Sequence, residues 1–333
     1  CETDNVDPDL TANNLKGMFV VCEGSYGSAE GDITYYNTGT NSTIKSLFYS
    51  VNNVEAGDIV QAFALADTIG VLAVNNSQKV IMVSMKDFKI KKTLNSFSYP
   101  RSILRADENS VYVANGNGSA YNYIYSIDLS TLLKTDSLEV SNGPEAMMKV
   151  GSKVYAAISG GWNNDGNTVV EIDPATFSIT NVFTVGSVPV DLVADKDNNL
   201  WVYCKGVPDF TNWPDVTYTN AGISKINTAT SQVTTFPIAS MSAPGLNNIA
   251  VSKDGSTLYF LNDALYSMPV TAAALPTSKV VDQQFYGMDV DPQTGNIVCL
   301  DAVNSMALVY GSSGTKQFEF ETGDYPNSVI FSY

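Results

Sequence analysis

The side chains best suited to chemistry in this sequence are aromatic and amide groups in short polar segments between apolar runs. Aromatic rings supply large contact area at low entropy cost, and amide and hydroxyl groups form directed hydrogen bonds. This combination favours ligand binding, and the alternative is that the rings pack against one another and stiffen long loops. The predicted ligand-binding residues are Tyr26, Tyr99, Arg101, Tyr121, Tyr123, Trp162, Asn163, Phe210, Trp213, Phe285, Tyr286 and Tyr325.

Catalytic groups are poorly represented, because the sequence has no histidine at all. Catalytic triads, Cys-His pairs and histidine metal sites are therefore excluded. Most carboxylates lie in turns or, like Asp128 and Asp173, at a recurring position that indicates structural hydrogen bonding. The Asp195-x-Asp197-x-Asn199 segment could be read as a calcium loop, but a hairpin turn is favoured because the distal bidentate acid is missing. The sequence predicts no enzyme, no metal site and no cofactor; a hydrolase or lyase based on carboxylates alone is the alternative.

The cysteines fall into two groups. Cys1 precedes an acidic, polar segment, and residues 1–14 are predicted to be the tether of a mature lipoprotein acylated on this cysteine. The alternative is a chain boundary that happens to fall there. Cys22, Cys204 and Cys299 lie in apolar β-type runs without CxxC spacing, which predicts buried free thiols.

Composition limits the kinds of partner. Of 333 residues, 44% are hydrophobic and 16% charged, so a large core is expected and bulk disorder is excluded. The net charge of −16 makes nucleic acid an unsuitable partner, and it disfavours binding to an anionic membrane through a basic patch. No run of 18 apolar residues predicts a transmembrane helix.

The elements that position the aromatic segments form a repeat with a period near 44 residues. Each unit has four short β-type runs, and tight turns join the first run to the second. Six complete units are visible, and they begin near residues 56, 99, 143, 188, 243 and 284.

The two ends of the chain complete a seventh unit. Residues 15–52 contain only the last three runs, GMFVVCEG, GDITYYN and TIKSLFYSV, and residues 324–333 contain a lone first run. Joining them closes a circular array and leaves no open sheet edge. The prediction is an all-β fold with one domain over residues 15–333, a seven-bladed β-propeller of four-stranded blades.

The repeats resemble the YVTN/YncE-like propeller superfamily, whose repeat reads P-x-x-I, V-Y-V-A-N and V-x-V-I-D-x-x-T. The resemblance covers residues 15–333 and is strongest at residues 111–115 with Ile127 and Asp128, and at residues 170–176. Loops that join the second and third runs, and those between blades, should share one face of such a fold. The predicted ligand-binding residues fall in these loops, and so does the longest departure from the repeat, residues 205–221.

Together with Cys1, the repeats resemble the cobalamin-capturing surface lipoproteins of Bacteroidetes. This resemblance implies a monomeric, lipid-anchored protein of the outer-membrane surface that binds a corrinoid or similar molecule as a ligand. It also implies transfer of the ligand to a TonB-dependent transporter. The alternative is a surface-layer or adhesion scaffold that binds protein or glycan.

Overall fold

The chain forms a ring of seven antiparallel four-stranded sheets, the blades of a β-propeller. The computed structural model describes residues 15–213, 216–238 and 248–333. The predicted tether, with Cys1, lies outside the described residues. The propeller prediction is confirmed.

Blades are numbered along the chain, and strands are given from the channel outwards. Blade 1 consists of β30 (Pro326–Ser332), β1 (Gly17–Cys22), β2 (Asp32–Asn37) and β3 (Ser42–Ile44). Blade 2 consists of β4 (Val60–Ala66), β5 (Ile69–Val74), β6 (Lys79–Ser84) and β7 (Ile90–Leu94). Blade 3 consists of β8 (Pro100–Arg105), β9 (Ser110–Asn115), β10 (Tyr123–Asp128) and β11 (Leu133–Glu139).

The remaining blades follow the same order. Blade 4 consists of β12 (Pro144–Val150), β13 (Lys153–Ile158), β14 (Thr168–Asp173) and β15 (Ser178–Thr184). Blade 5 consists of β16 (Pro189–Ala194), β17 (Asn199–Cys204), β20 (Gly222–Asn227) and β21 (Val233–Pro237). Blade 6 consists of β22 (Ile249–Val251), β23 (Thr257–Leu261), β24 (Leu265–Pro269) and β25 (Lys279–Val281). Blade 7 consists of β26 (Gly287–Val290), β27 (Ile297–Asp301), β28 (Met306–Tyr310) and β29 (Lys316–Glu321).

Position within the blade explains the hydrophobic pattern of each strand. The second strand lies in the middle of its sheet, and neighbouring blades cover both faces. Strands such as β1 (GMFVVC) and β17 (NLWVYC) are therefore buried along their whole length. The outermost strands face solvent and are mostly exposed, as in β7. Trp201 in β17 is fully buried.

The C-terminal strand closes the ring as predicted. β30 pairs antiparallel with β1, and the register runs from Gly17 opposite Ser332 to Cys22 opposite Pro326. The innermost strand of blade 1 thus comes from the C-terminal end of the chain, and its other three strands come from the N-terminal end. This pairing covers a sheet edge that would otherwise be open to aggregation.

One predicted strand is partly wrong. The run TIKSLFYSV was predicted to be a β-strand, but β3 ends at Ile44 and a short helix, α1 (Leu47–Asn52), follows. The Asp32 carboxylate accepts hydrogen bonds from the backbone N–H groups of Phe48 (2.8 Å) and Tyr49 (3.0 Å). Because the first turn of a helix leaves N–H groups without partners, this long-range contact stabilises α1. Periodicity within the run gives no sign of it.

The chain direction gives the ring two different faces. Connections between blades, and those between second and third strands, lie on one face, which we call the loop face. The 205–221 departure from the repeat belongs to it and forms a two-stranded hairpin of β18 (Val207–Asp209) and β19 (Thr217–Thr219).

Cores between neighbouring blades hold the ring together and also contain three cysteines. Cys22, Cys204 and Cys299 are buried free thiols, as predicted. Burial raises the pKa of Cys22 to about 11 and that of Cys204 to about 12. Among the described residues, no helix is both long and apolar enough to cross a bilayer.

Candidate functional site

Irregular pairing at the start of the inner strands places polar side chains around the channel mouth. The register between first and second strands shifts within each of the pairs β4–β5, β8–β9, β12–β13 and β16–β17, and between β30 and β1. A bulge redirects the side chain of the extra residue. Four of the residues at these shifts are polar, and they are Gln61, Arg101, Glu145 and Asn327.

These side chains form a hydrogen-bonded network at the mouth. Arg101 Nε donates to Glu145 Oε2 at 2.9 Å, and Arg101 Nη1 donates to Gln61 Oε1 at 2.9 Å. Gln61 Nε2 in turn donates to Glu23 Oε1 at 3.1 Å. The Arg101–Glu145 ion pair is shielded from water, with side chains 31% and 17% exposed. The charges of Arg101 and Glu145 are paired with each other, so this part of the mouth is preorganised.

A cavity of about 260 Å³ opens beside this hydrogen-bonded network on the loop face. Its wall comes from blades 2 to 5, and its lining residues are Asn75, Tyr99, Arg101, Gly116, Asn117, Glu145, Gly161, Trp162, Asn164 and Lys205. The rings of Tyr99 and Trp162 pack edge to face, with centroids 4.7 Å apart. The cavity thus combines a two-ring aromatic wall, three charged groups and several amides, which is the mixture expected of a small-molecule site.

Close backbone packing between blades 3 and 4 holds Trp162 in place. Trp162 N donates to Asn117 O at 2.8 Å, and Asn163 Nδ2 donates to Gly118 O at 3.3 Å. Gly161 has φ +56°, and a Cβ there would overlap the Asn117 carbonyl. Only glycine suits both the left-handed backbone and this approach. The indole itself remains 66% exposed, so its position is fixed while its face is accessible.

The charged groups of the mouth perturb one another. Burial lowers the pKa of Lys205; the positive charge of Arg101 acts in the same direction, while Glu145 partly offsets both. Burial raises the pKa of Tyr286, and the neighbouring Glu23 carboxylate adds to that effect. Tyr286 donates its hydroxyl hydrogen to Glu23 Oε2 at 3.1 Å.

Three of the predicted ligand-binding residues meet in the cavity, and they are Tyr99, Arg101 and Trp162. Asn163 lies beside it in the same loop. Five more are exposed elsewhere in the loop-face connections, outside the cavity lining. They are Tyr26, Tyr121, Phe210, Trp213 and Tyr325.

The other three predicted residues have structural contacts. Tyr123 is half-buried in β10 and stacks on Tyr125 with ring centroids 5.6 Å apart. Tyr286 belongs to the hydrogen-bonded network at the mouth, where its hydroxyl contacts Glu23. Phe285 is 2% exposed and packs against Tyr310, so its ring is not presented at the surface.

Sequence reasoning did not select Glu145, Lys205 or Gln61 as ligand-binding residues, although all three reach the mouth. A positional signal could have found them. Arg101, Glu145 and Asn327 directly follow the proline that opens an inner strand, and Lys205 directly follows a buried second strand. In blades 1, 3, 4 and 5 these positions lie at the mouth.

Carboxylates elsewhere have structural roles. Asp128 accepts hydrogen bonds from Ser130 N and Thr131 N in its turn, and Asp173 accepts from Ala175 N and Lys153 Nζ. Asp195 accepts from the indole N–H of Trp201 at 2.9 Å, within the β16–β17 hairpin. The hairpin and structural interpretations are therefore confirmed. Within residues 15–213, 216–238 and 248–333, no three His, Cys, Asp or Glu side chains are grouped to hold a metal ion.

Comparison with solved structures supports the fold. A putative 6-phosphogluconolactonase from Bacteroides fragilis superposes with a TM-score of 0.67 at 12% identity, over 98% of this chain and 100% of the other. A quinonprotein alcohol dehydrogenase-like protein from Bacteroides thetaiotaomicron gives 0.68 at 15% identity, over 96% and 79%. A protein from Lactobacillus plantarum gives 0.68 at 15% identity, over 96% and 99%.

These similarities define the class of fold. The chain is a seven-bladed β-propeller, and it shares this fold with the three structures named above. No protein-family model matches the sequence, and no curated protein matches it. At these identities the comparisons concern the fold alone, so function has to be argued from the site.

Proposed function

We propose that this protein captures a small molecule at the channel mouth without transforming it. The observation that carries the proposal is the cavity in which Trp162 and Tyr99 form a wall beside the Arg101–Glu145 pair. The backbone of Trp162 is fixed by its hydrogen bond to Asn117 O, and its indole packs on Tyr99, so the indole offers contact area with little loss of entropy on binding. The amide-bearing side chains of Asn75, Asn117 and Asn164 add directed hydrogen bonds.

Binding is favoured over carboxylate catalysis because the carboxylates of the mouth already have partners. Glu145 accepts hydrogen bonds from Arg101 at 2.9 Å and from Ser159 Oγ at 3.4 Å. Glu23 accepts from Gln61, Tyr286 and Asn327. A general acid or base needs a proton-exchanging oxygen within reach of substrate, and these contacts hold the oxygens in a structural network.

The first ligand to test is a corrinoid, whose amide-rich edge would suit the asparagines of the cavity. A corrinoid is wider than this cavity, so it would lie across the loop face with one edge inside. We further propose that a lipid on Cys1 anchors the protein at the outer-membrane surface and that a TonB-dependent transporter receives the ligand.

The exposed rings outside the cavity favour a second candidate function. Phe210 and Trp213, at the tip of the blade 5 hairpin, are 58% and 74% exposed. Rings this exposed are typical of surfaces that bind protein or glycan. The second candidate is therefore an adhesion or assembly scaffold that uses the hairpin.

Calorimetric titration separates the two candidates. The protein is titrated with cobalamin, haem, ferric siderophores and oligosaccharides, and the binding compound is then titrated into Trp162→Ala and Trp213→Ala. We expect Trp162→Ala to weaken binding by about 10- to 100-fold, because a well-buried ring contributes roughly 1.5–3 kcal/mol. Trp213→Ala, the matched control, should change affinity by less than about threefold, because Trp213 lies outside the cavity lining.

Either of two results contradicts capture in the cavity. One is unchanged affinity in a folded Trp162→Ala variant. The other is loss of binding in Trp213→Ala alone, which would transfer the site to the hairpin and favour the scaffold. Circular dichroism of both variants checks that the fold is retained.

A further inference from the structure

Lys205 occupies an unusual position in the cavity wall. It directly follows β17, and its backbone N–H donates to Val188 O at 3.0 Å, which fixes the start of the side chain. The side chain is half-buried and lines the cavity together with Arg101 and Glu145. Lys205 therefore presents an amine to the same space as the aromatic wall.

The amine of Lys205 is not neutralised by the protein. In the part of the chain that the structure describes, no carboxylate lies within 4.0 Å of this amine. The same residues contain nine ion pairs, one of which is Arg101–Glu145. The nearby Glu145 carboxylate is engaged by Arg101 and Ser159. A half-buried ammonium without a counter-charge is unfavourable, and an anion brought next to it removes that cost.

The charge of the whole molecule makes this position distinctive. The protein carries a net charge of −16, so most of its surface repels anions. Arg101 and Lys205 place two cationic groups in one cavity beside a single carboxylate, Glu145. The cavity therefore has a local positive excess, and it is bounded on one side by the rings of Tyr99 and Trp162.

We propose that the group which enters this cavity is an anionic oxygen group, a carboxylate or a phosphate, carried on a ring. The anion binds the Lys205 ammonium, and the ring packs on Trp162. This inference rests on the proposed capture function and narrows its ligand class.

The test uses three probes that share one ring. Benzoate and phenyl phosphate carry an anion, and benzamide is the uncharged match of benzoate. Each is titrated into the wild-type protein and into Lys205→Met, Lys205→Arg and Lys196→Met. Lys196 lies in the β16–β17 turn, away from the cavity, with its side chain 48% exposed, so Lys196→Met is the matched control.

We expect at least one acid to bind the wild-type protein and to lose about tenfold in affinity in Lys205→Met, because a hydrogen bond to a charged group contributes roughly 1.5–3 kcal/mol. Lys205→Arg should restore most of the affinity, and Lys196→Met should behave as wild type. Benzamide should bind more weakly than benzoate and be indifferent to Lys205. A preference for one acid distinguishes a carboxylate ligand from a phosphate ligand.

Failure of the inference is distinguishable from failure of the capture function. The inference is overturned if neither acid binds the wild-type protein, or if Lys205→Met binds both acids as tightly as the wild type does. The capture function stands in that event if Trp162→Ala still weakens binding of the compound found by calorimetry.

Discussion

The mouth and the interior of the central channel handle buried charge in different ways. At the loop face, Arg101 and Glu145 form an ion pair, and Gln61 links them to Glu23. Deeper in the channel, a cavity of about 530 Å³ is lined largely by apolar side chains, and its charged residues are Asp191, Lys253 and Asp289. An ion pair at the mouth thus contrasts with two carboxylates in the channel interior that form no ion pair among the described residues.

The deeper carboxylates are held by neutral groups. Asp191 Oδ2 accepts from Asn248 Nδ2 at 2.6 Å and from Ile249 N at 3.0 Å, and Asp289 Oδ1 accepts from Val290 N at 2.7 Å. Burial raises the pKa of Asp191 to about 6 and that of Asp289 to about 7. Both carboxyl groups therefore release their protons at a higher pH than an exposed aspartic acid does.

The largest effect is expected from removal of β30, the strand that contributes to both the mouth and the interior of the channel. β30 provides Asn327 to the hydrogen-bonded network at the mouth and Ser328, Val329 and Ile330 to the deeper cavity. Deletion of residues 326–333 exposes the edge of β1. We expect the variant to aggregate and to lose the cooperative unfolding transition. Thermal unfolding followed by circular dichroism checks this.

Removal of Tyr333 alone is the control for this deletion, because β30 ends at Ser332. That variant should unfold cooperatively, like the wild type. Cooperative unfolding of the longer deletion would show that ring closure is not required for the fold.

The Arg101–Glu145 ion pair at the mouth is tested by Glu145→Gln, which keeps the shape of the side chain and removes its charge. Arg101 then lacks its counter-charge, and we expect the free energy of unfolding to fall by about 2 kcal/mol. Asp67→Asn is the matched control, because the Arg105–Asp67 pair is more exposed, with side chains 33% and 65% exposed. It should cost about 0.5 kcal/mol or less.

Chemical denaturation at neutral pH measures both variants. Equal losses from Glu145→Gln and Asp67→Asn would contradict the view that the pair at the mouth is shielded from water.

The carboxylates of the channel interior are tested by measuring the stability of Asp289→Asn across pH. The pKa of Asp289 is raised from 3.8 to about 7 in the folded protein, so between these values the folded state binds more protons than the unfolded state. The contribution of Asp289 to stability should therefore fall as the pH rises from about 4 to 7. At pH 8 we expect Asp289→Asn to be more stable than the wild type by about 4 kcal/mol, with no difference near pH 4.

Urea denaturation at a series of pH values measures this effect. Asp197→Asn in the exposed β16–β17 turn serves as the control and should show no pH-dependent difference from the wild type. A constant difference for Asp289→Asn at all pH values would show that Asp289 is charged throughout.

The fold could be predicted from the sequence because the propeller repeats a short local pattern. Apolar runs such as those of β9 and β17, separated by turns, specify strands that are buried on both faces, and a lone run at residues 324–333 specifies closure. The helix α1 could not be predicted, because a distant carboxylate, Asp32, stabilises its first turn.

The candidate site was only partly predictable. Tyr99, Arg101 and Trp162 could be selected from residue type and loop position, but Glu145 and Lys205 were not selected, although they line the same cavity. Phe285 shows the opposite case, since residue type favoured binding while packing buries its ring.

The amino-acid sequence by itself determined the number of blades, the closing strand and the residues that can reach the loop face, because these depend on periodicities of two and about 44 residues. The tertiary structure alone decided which of those residues share a cavity. That outcome depends on bulges that turn Arg101 and Glu145 towards one another and on glycine contacts that bring neighbouring blades together at Trp162. Both are relations between distant segments, and no local pattern in the chain specifies them.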